Sequence, residues 1–485
     1  VFPTDTIVAL ATPPGRGALA VVRLSGPAAH SIASAVLRPW SVEAGRARLC
    51  AAVDAAGAVL DRPIVTTYLA PRSYTGEDVV ELSTHGGLAV PVSIVAALVA
   101  AGARPALPGE FTRRALLNGK MDLAQAEAVG DLVDARSSAM QRAAMAQLDG
   151  GLSRRVRDLR DAVLDVEALV AYDIDFPEED DGPVPRDRVD AAAGSASDQI
   201  AALLATSPTG ELIRHGAVAV IAGPPNVGKS SLFNAALGRA RSIVSAVPGT
   251  TRDAVDAFVE PPGAPFPLKL VDTAGLRDTS EALERLGIEV SLRALADAHV
   301  VLACGETSAS MLETVARVRA HTAAPVIGVR TKCDRGGQSE VAAGRRADPV
   351  AADSAGTATA VRRATAAPGT AAMDAADLAA RAAVGGAVDD AAAALTELAG
   401  VIVVDTSAET GHGLHALMAA TVDAVVARWG TPQSDAPVIM RTRQRHALER
   451  AEVELAAFRT AWAARALPAV VAAVHLRAAA TALED

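Results

Sequence analysis

Residues 217–231 read AVAVIAGPPNVGKSS. Six apolar residues without a charge are the pattern of a strand buried on both faces. The next eight, Gly223-Pro224-Pro225-Asn226-Val227-Gly228-Lys229-Ser230, have the spacing of a phosphate-binding loop, and a helical pattern follows. Strand, glycine-rich loop and helix in that order let backbone N–H groups close around phosphates. Lys229 is placed to reach the β- and γ-phosphates, and the Ser230 hydroxyl to ligate Mg²⁺.

Three further segments extend this reading. Asp272-Thr273-Ala274-Gly275 closes the apolar run Leu268–Val271; Asp272 is suited to hold a Mg²⁺-bound water, and Gly275 to offer its N–H to the γ-phosphate. Between the two, Gly249-Thr250-Thr251-Arg252-Asp253 places Thr251 to complete the Mg²⁺ shell while the γ-phosphate is present. Thr331-Lys332-Cys333-Asp334 follows the run Val326–Val329. The Asp334 carboxylate can accept both N–H groups of guanine, a pair adenine cannot supply. Threonine stands at 331 where asparagine is usual. Ser407-Ala408, after Val401–Val404, completes the expected base contacts. Together these segments predict a guanine-nucleotide site that hydrolyses its ligand.

Outward from this site, the runs 217–222, 268–271, 300–303, 326–329 and 401–404 alternate with helical stretches, which predicts a parallel sheet with helices on both faces. Residues 1–117 suggest an α+β unit, with strands at Thr6–Ala11, Leu19–Leu24 and Asp78–Leu82 and a helix at Val92–Ala101. From about 118 to 215 the period is helical, at Asp122–Arg136, Ala139–Leu148 and Leu152–Tyr172, with an acidic turn at 173–181; it returns at Arg441–Ala464. The simplest arrangement is a helical domain interrupted by an α/β insertion. Residues 335–398, rich in Ala, Gly, Thr, Arg and Asp, suggest low complexity with a helix near Met373–Ala383.

Composition sets the outer bounds. A chain of 485 residues, half of them apolar, implies several domains. No apolar run reaches the ~18–20 residues of a membrane span, and Pro13, Pro14 and Gly15 break the pattern a leader needs. Cys50, Cys304 and Cys333 have no metal-ligand spacing and fit a reducing cytoplasm. At a net charge of −10, nucleic acid has to be met by local patches. Arg441, Arg443, Arg445 and Arg450, with Arg154, Arg155, Arg157 and Arg160, are candidates; an ordinary charged helix face is the plainer reading.

Leu276 follows Gly275, where Ras-type enzymes hold a water-orienting glutamine. Transition-state charge therefore needs another partner. Asn226 can offer its carbonyl oxygen to a monovalent cation beside the phosphates, or it merely shapes the loop.

At this point a resemblance becomes specific. The chain resembles the tRNA modification GTPases of the MnmE (TrmE) family over nearly its whole length. The matching segments are DTIVALATPPGRG (5–17), VVRLSGP (21–27), YTGEDVVEL (74–82), HGG (85–87), PGEFT (108–112), NGKMDLAQAEA (118–128), IDFPE (174–178), IVSAVPGTTRD (243–253) and DTAGLRDTSEALERLG (272–287). The resemblance implies a multidomain protein: an α+β N-terminal folate-binding and dimerisation domain (1–117), an α-helical domain in two parts (118–211 and 431–485), and an inserted Ras-like α/β P-loop GTPase domain (212–430). It implies a cytoplasmic homodimer that works with the flavoprotein MnmG (GidA). Together they would install an aminomethyl or carboxymethylaminomethyl group at C5 of the wobble uridine of certain tRNAs, from a tetrahydrofolate one-carbon unit such as that of 5-formyltetrahydrofolate.

Residue by residue, the resemblance implies potassium-activated hydrolysis, with K⁺ held by Asn226, Ser245, Val247 and Thr250 and Mg²⁺ by Ser230 and Thr251. Glu284 orients the attacking water, and Lys229 is the other catalytic group. GTP contacts extend through Val227, Gly228 and Ser231, through the loop Ser245, Ala246, Val247, Pro248, Gly249, Thr250 and Thr251, and through Thr273 and Ala274. Cys333, in the base loop, is expected to touch the nucleotide as well. Arg23, Glu81 and Lys120 match the folate pocket. The family's Cys-x-Gly-Lys tail does not occur before Asp485. A ribosome-assembly GTPase of the Era or Der kind is the rival reading; the PPGRG and YTGED segments count against it.

Overall fold

The computed structural model describes residues 5–41, 43–175, 184–239, 241–243, 255–272, 294–336, 401–431, 437–464 and 469–484. The chain divides into two compact units, Val1–Gly130 with Gln147–Ser153, and Asp131–Ala146 with Arg154–Asp485.

The first unit contains β1 (Ile7–Leu10), β2 (Leu19–Ser25), α1 (Ala29–Val36), β3 (Leu37–Arg38), β4 (Ala47–Leu49), β5 (Ala51–Val53), β6 (Val59–Asp61), β7 (Ile64–Tyr68), β8 (Val79–His85), α2 (Val90–Ala100), β9 (Arg104–Pro105) and α3 (Glu110–Leu117). Six strands form one sheet in the order β4-β7-β8-β2-β1-β9, and β3, β5 and β6 form a small second sheet. Every contact in the larger sheet is antiparallel except β1 with β9. Side chains therefore alternate between its faces. Val8, Val22, Leu24, Val65, Val80 and Leu82 pack with Ile32, Val36, Ile94 and Leu98 of α1 and α2 into one core. The opposite face carries Arg23 and Glu81, which are register partners, and the exposed Leu19, Leu49 and Ile64.

The first unit also holds a dense ionic cluster. The buried Arg114 donates to both Glu77 oxygens, to the Asp5 carbonyl and carboxylate, and to Glu110. Arg104 bridges Asp5 and Glu110 from the other side. The Arg104 hydrogen bond, helped by the Leu107 N–H and by Arg114, pulls the Glu110 carboxyl down to about 2.

Helices α4 (Leu123–Val133), α5 (Ser138–Leu148) and α6 (Gly151–Asp175) follow in the chain. The second unit continues with α7 (Arg186–Leu204), α8 (Ser207–His215), β10 (Ala217–Ala222), α9 (Lys229–Arg239), β11 (Arg241–Ile243), β12 (Val255–Glu260), β13 (Leu268–Asp272), β14 (Val300–Gly305), α10 (Ser308–Arg319), β15 (Val326–Arg330), β16 (Ile402–Asp405), α11 (Leu414–Trp429), α12 (Thr442–Ala464) and α13 (Ala469–Ala482). Its sheet runs β11-β12-β13-β10-β14-β15-β16. The five strands from β13 to β16 are parallel, and β11 and β12 join them antiparallel at one edge. The five apolar runs read in the sequence are these five parallel strands. Strand order reverses at β10, flanked by β13 and β14, so the carboxyl end of β10 is the switch point at which such sheets bind ligands.

Among the helices, α12 packs with α7 and α13. Arg186 of α7 lies 4.2 Å over the Trp462 ring of α12. Among the basic candidates, Arg441 pairs with Asp131, Arg445 with Glu211 and Arg160 with Glu484. No helix among the described residues is long and apolar enough to cross a membrane. The expected low-complexity segment from residue 337 onward, with its Met373–Ala383 helix, lies outside the described residues, as does most of the acidic turn.

Candidate functional site

The loop Gly223–Gly228 leaves the buried end of β10 and delivers the chain into α9 at Lys229. Gly223 has φ +156, and a Cβ there would stand 2.7 Å from the Cys304 carbonyl of β14, so the loop can pass only without a side chain. Burial pushes the Cys304 thiol below it up to about 12, which leaves it a neutral packing group. Gly228, at φ +97, lets the backbone turn its N–H groups inward before the helix. Asn226 holds the left-handed conformation at φ 61, which few non-glycine residues adopt.

Lys229 is 6% exposed. Its ammonium donates to the carbonyls of Gly223 at 3.0 Å and Pro224 at 2.9 Å, spanning the loop it belongs to. A phosphate entering the loop offers this buried cation charged oxygens in place of neutral ones. One residue on, the Ser230 hydroxyl donates to Oδ2 of Asp272 at 2.6 Å. Asp272, at the end of β13 and 3% exposed, brings a carboxylate to the first turn of α9. A hydroxyl and a carboxylate side by side are the hard oxygen donors Mg²⁺ prefers, directly or through water.

The segments expected to meet the base are built on the ends of β15 and β16. The buried Thr331 donates its hydroxyl to the Val227 carbonyl at 2.5 Å. Lys332 adopts φ 57, and its ammonium donates to the Asn226 carbonyl at 2.8 Å while pairing with Glu306. Two consecutive residues thus hold two consecutive carbonyls of the phosphate loop. The Asp334 carboxylate is exposed, and the Ser407 hydroxyl holds it below the usual carboxylate range, with help from its own backbone N–H. Ser407 is itself buried, and its loop is tied to the base side by the Cys333 N–H on the Thr406 carbonyl. Gly228, Thr331, Lys332, Asp334, Thr406 and Ala408 line one cleft of about 430 Å³. Arg330 clasps Asp405 through two bonds of 2.5 Å, which stiffens the strand ends that carry both loops.

The structure therefore brings Asn226, Val227, Gly228, Lys229, Ser230 and Ser231 together with Asp272, Thr331, Lys332, Cys333, Asp334, Ser407 and Ala408 at one end of the sheet. The expected Ser245–Thr251 loop, Thr273, Ala274, Gly275, Leu276 and Glu284 lie outside the described residues. Glu306 was not singled out by sequence reasoning, because one glutamate after a strand has no spacing signature.

In the first unit, Arg23 and Glu81 do come together: Nε and Nη2 of Arg23 lie 2.8 and 2.7 Å from one Glu81 oxygen. The guanidinium also sits 5.0 Å from the Tyr74 ring and 5.5 Å from that of Phe111. Lys120 donates to the Pro71 carbonyl at 3.0 Å, in the connection that also carries Tyr74. Tyr74 and Phe111 were inside quoted motifs, YTGED and PGEFT, but nothing in the sequence said that their rings flank Arg23.

Comparison with known proteins agrees with this geometry. Residues 6–120 match the family model described as "GTP-binding protein TrmE N-terminus", and residues 123–485 match "MnmE helical domain". A tRNA modification GTPase MnmE from Akkermansia muciniphila is 43% identical over 341 residues, covering 69% of this chain and 74% of that protein. The Thermus thermophilus protein of the same name is 46% identical over 302 residues, covering 61% and 69%. That of Chloroflexus aurantiacus is 44% identical over 338 residues, covering 68% and 73%. With a buried lysine and a serine–aspartate pair at one end of the sheet and relatives named as tRNA modification GTPases, the chain is a GTP hydrolase and belongs to the MnmE (TrmE) family of tRNA modification GTPases.

Proposed function

We propose that the chain is a potassium-activated GTPase that acts with the flavoprotein MnmG (GidA) on C5 of the wobble uridine, U34, of certain tRNAs. The product carries an aminomethyl or carboxymethylaminomethyl group whose carbon comes from tetrahydrofolate. The observation that carries the hydrolytic part is the 2.6 Å contact between Ser230 and Asp272 beside the buried Lys229. Ser230 and, with GTP present, Thr251 would hold Mg²⁺, and Asp272 would accept from a water bound to it. Lys229 exchanges the Gly223 and Pro224 carbonyls for β- and γ-phosphate oxygens. Thr331 and Lys332 keep Val227 and Asn226 in place meanwhile. Bound beside the phosphates, K⁺ would supply positive charge as the β–γ bond breaks. Asn226, Ser245, Val247 and Thr250 would hold it, and the left-handed backbone of Asn226 supports a special role for that residue. Glu284 orients the attacking water.

Folate is assigned to the open face of the first unit's sheet. Support comes from the donor set: a carboxylate, Glu81, for the N–H edge of a pterin, cations at Arg23 and Lys120, and the Tyr74 and Phe111 rings for a flat ligand. The apolar Leu19, Leu49 and Ile64 on the same face support a homodimer formed through residues 1–117. The helical segments 118–211 and 431–485 flank the G domain, 212–430. The compartment proposed is the cytoplasm, where tRNA and GTP are available.

The test is GTP turnover in matched KCl and NaCl. Wild type should turn over steeply faster in K⁺, and Asn226→Ala should lose that response while still binding GDP. Equal wild-type rates in the two salts would overturn the cation mechanism. Wobble-nucleoside analysis of tRNA from a deletion strain tests the modification itself.

A further inference from the structure

Residues 131–140, from the last turn of α4 to the first turn of α5, touch the seven-stranded sheet and its connections in three places. Asp131 has its carboxylate buried and both oxygens occupied. Oδ1 accepts from Arg214 Nε at 3.1 Å and from Arg441 Nη2 at 2.8 Å, and Oδ2 from Arg441 Nε at 3.1 Å. Arg214 lies at the end of α8, just before β10, and Arg441 immediately before α12, after the chain has left α11. One carboxylate thus ties the incoming connection of the sheet to the outgoing one. Removing it would leave two half-buried cations facing each other.

The second contact is aromatic. The Arg136 guanidinium lies 4.9 Å over the Phe258 ring of β12. Elsewhere the same ring meets the backbone of Gly216, where a Cβ would stand 3.0 Å from its Cε1. The third contact is at the start of α5. Ser137 caps the helix by accepting from the Met140 N–H at 3.1 Å. Glu260, at the far end of β12, then accepts from both the N–H of Ser138, at 2.9 Å, and its hydroxyl, at 2.5 Å. A carboxylate at a helix N-terminus is favoured by the orphan N–H groups and by the helix dipole. Met140 extends the link, because it belongs to the same hydrophobic core as Leu268 and Leu270 of β13.

β12 is the element these contacts share, and its two ends face different things. Val255 is registered opposite Asp272, the partner of Ser230, while Glu260 sits on α5. Six residues of strand span roughly 20 Å. We propose that Arg136 and Ser138 are positioning residues that seat β12 and pass the nucleotide state sensed at its Asp272 end to the first turn of α5. The physical basis is that a hydrogen-bonded strand moves as a unit. A shift at Val255 must therefore be met by the Phe258–Arg136 and Glu260–Ser138 contacts or break them.

Hydrogen exchange of the full chain, with GDP and with a non-hydrolysable GTP analogue, tests this. In wild type, the amides of residues 138–141 should change protection several-fold between the two states, together with those of the phosphate loop. Both side chains are exposed, so Arg136→Ala with Ser138→Ala should keep GDP affinity within about twofold and the phosphate-loop response intact. The response at 138–141 should shrink several-fold, because only the backbone N–H of residue 138 is then left on Glu260. Ser138→Thr, which retains the hydroxyl, should restore it. A wild type that responds at the phosphate loop but not at 138–141 overturns the proposal. So does a double variant that keeps the wild-type response at 138–141.

Discussion

The Thr331 hydroxyl and the Val227 carbonyl, 104 positions apart in the chain, lie 2.5 Å apart in the fold. The residue that opens the loop after β15 therefore holds the loop after β10. A second carbonyl, that of Gly305, stands farther off at 3.3 Å, so the single hydroxyl proton is committed to Val227. Threonine at this position does the mechanical work with one donor.

Thr331→Val removes that donor and keeps the shape. The loss of one buried hydrogen bond, about 1 kcal/mol, corresponds to roughly a fivefold change. Release of a fluorescent GDP, chased with unlabelled nucleotide, should speed up by about that factor, whereas Thr331→Asn should stay near wild type. Unchanged release from Thr331→Val would mean that the bond does not hold the loop in the bound state.

Asp334 is exposed and already hydrogen-bonded by Ser407, so its carboxylate is ionised and aimed by the loop at 406–408. Asp334→Asn replaces an acceptor pair with an amide that has one acceptor and one donor. Affinity for GDP should fall at least ~100-fold, and affinity for xanthosine diphosphate should rise. Calorimetry with both nucleotides checks the reversal; parallel losses for the two would indicate a damaged loop instead.

Glu110 in the first unit titrates at about 2 rather than its ordinary 4.5, chiefly because Arg104 hydrogen-bonds the ionised form. Its folded-state value is depressed. The stability it contributes is therefore complete above pH 4.5 and is lost as pH falls through the range down to about 2. Glu110→Gln should destabilise this unit at neutral pH, by ~1–2 kcal/mol after allowing for the half-exposed Arg104. The gap to wild type should close as the solution is acidified. Urea titrations at pH 7, 5, 4 and 3, followed by hydrogen exchange of β1 and β2 amides, measure the gap. A gap independent of pH would show that packing, not charge, is at stake.

Arg23 is bonded to Glu81 and flanked by two aromatic rings. If folate binds there, Arg23→Ala in the full chain should weaken 5-formyltetrahydrofolate by about tenfold or more, because a charge-assisted contact is lost. GTP turnover should be unaffected. Equal folate affinity in calorimetry would remove Arg23 from the site.

Several features were legible in the sequence alone because their chemistry is local. Gly223 to Ser231 is contiguous, so the loop, its strand and its helix could be named together, and the five parallel strands announce themselves as short, largely apolar runs, with Lys269 the one charge inside them. β12 escaped notice for the complementary reason: Val255-Asp256-Ala257-Phe258-Val259-Glu260 lies antiparallel toward the edge of the sheet, carries two carboxylates, and alternates in exposure from Asp256 to Glu260, so it makes no apolar run. The short strands β3 to β7 were missed likewise, at two to five residues each. What the tertiary structure alone decided is pairing over distance. Nothing in a linear reading says that Arg441 neutralises Asp131 rather than facing solvent, that Arg23 takes Glu81, or that Glu260 caps α5. Which opposite charges meet depends on which surfaces are buried together, and burial is a property of the folded chain, not of any window along it.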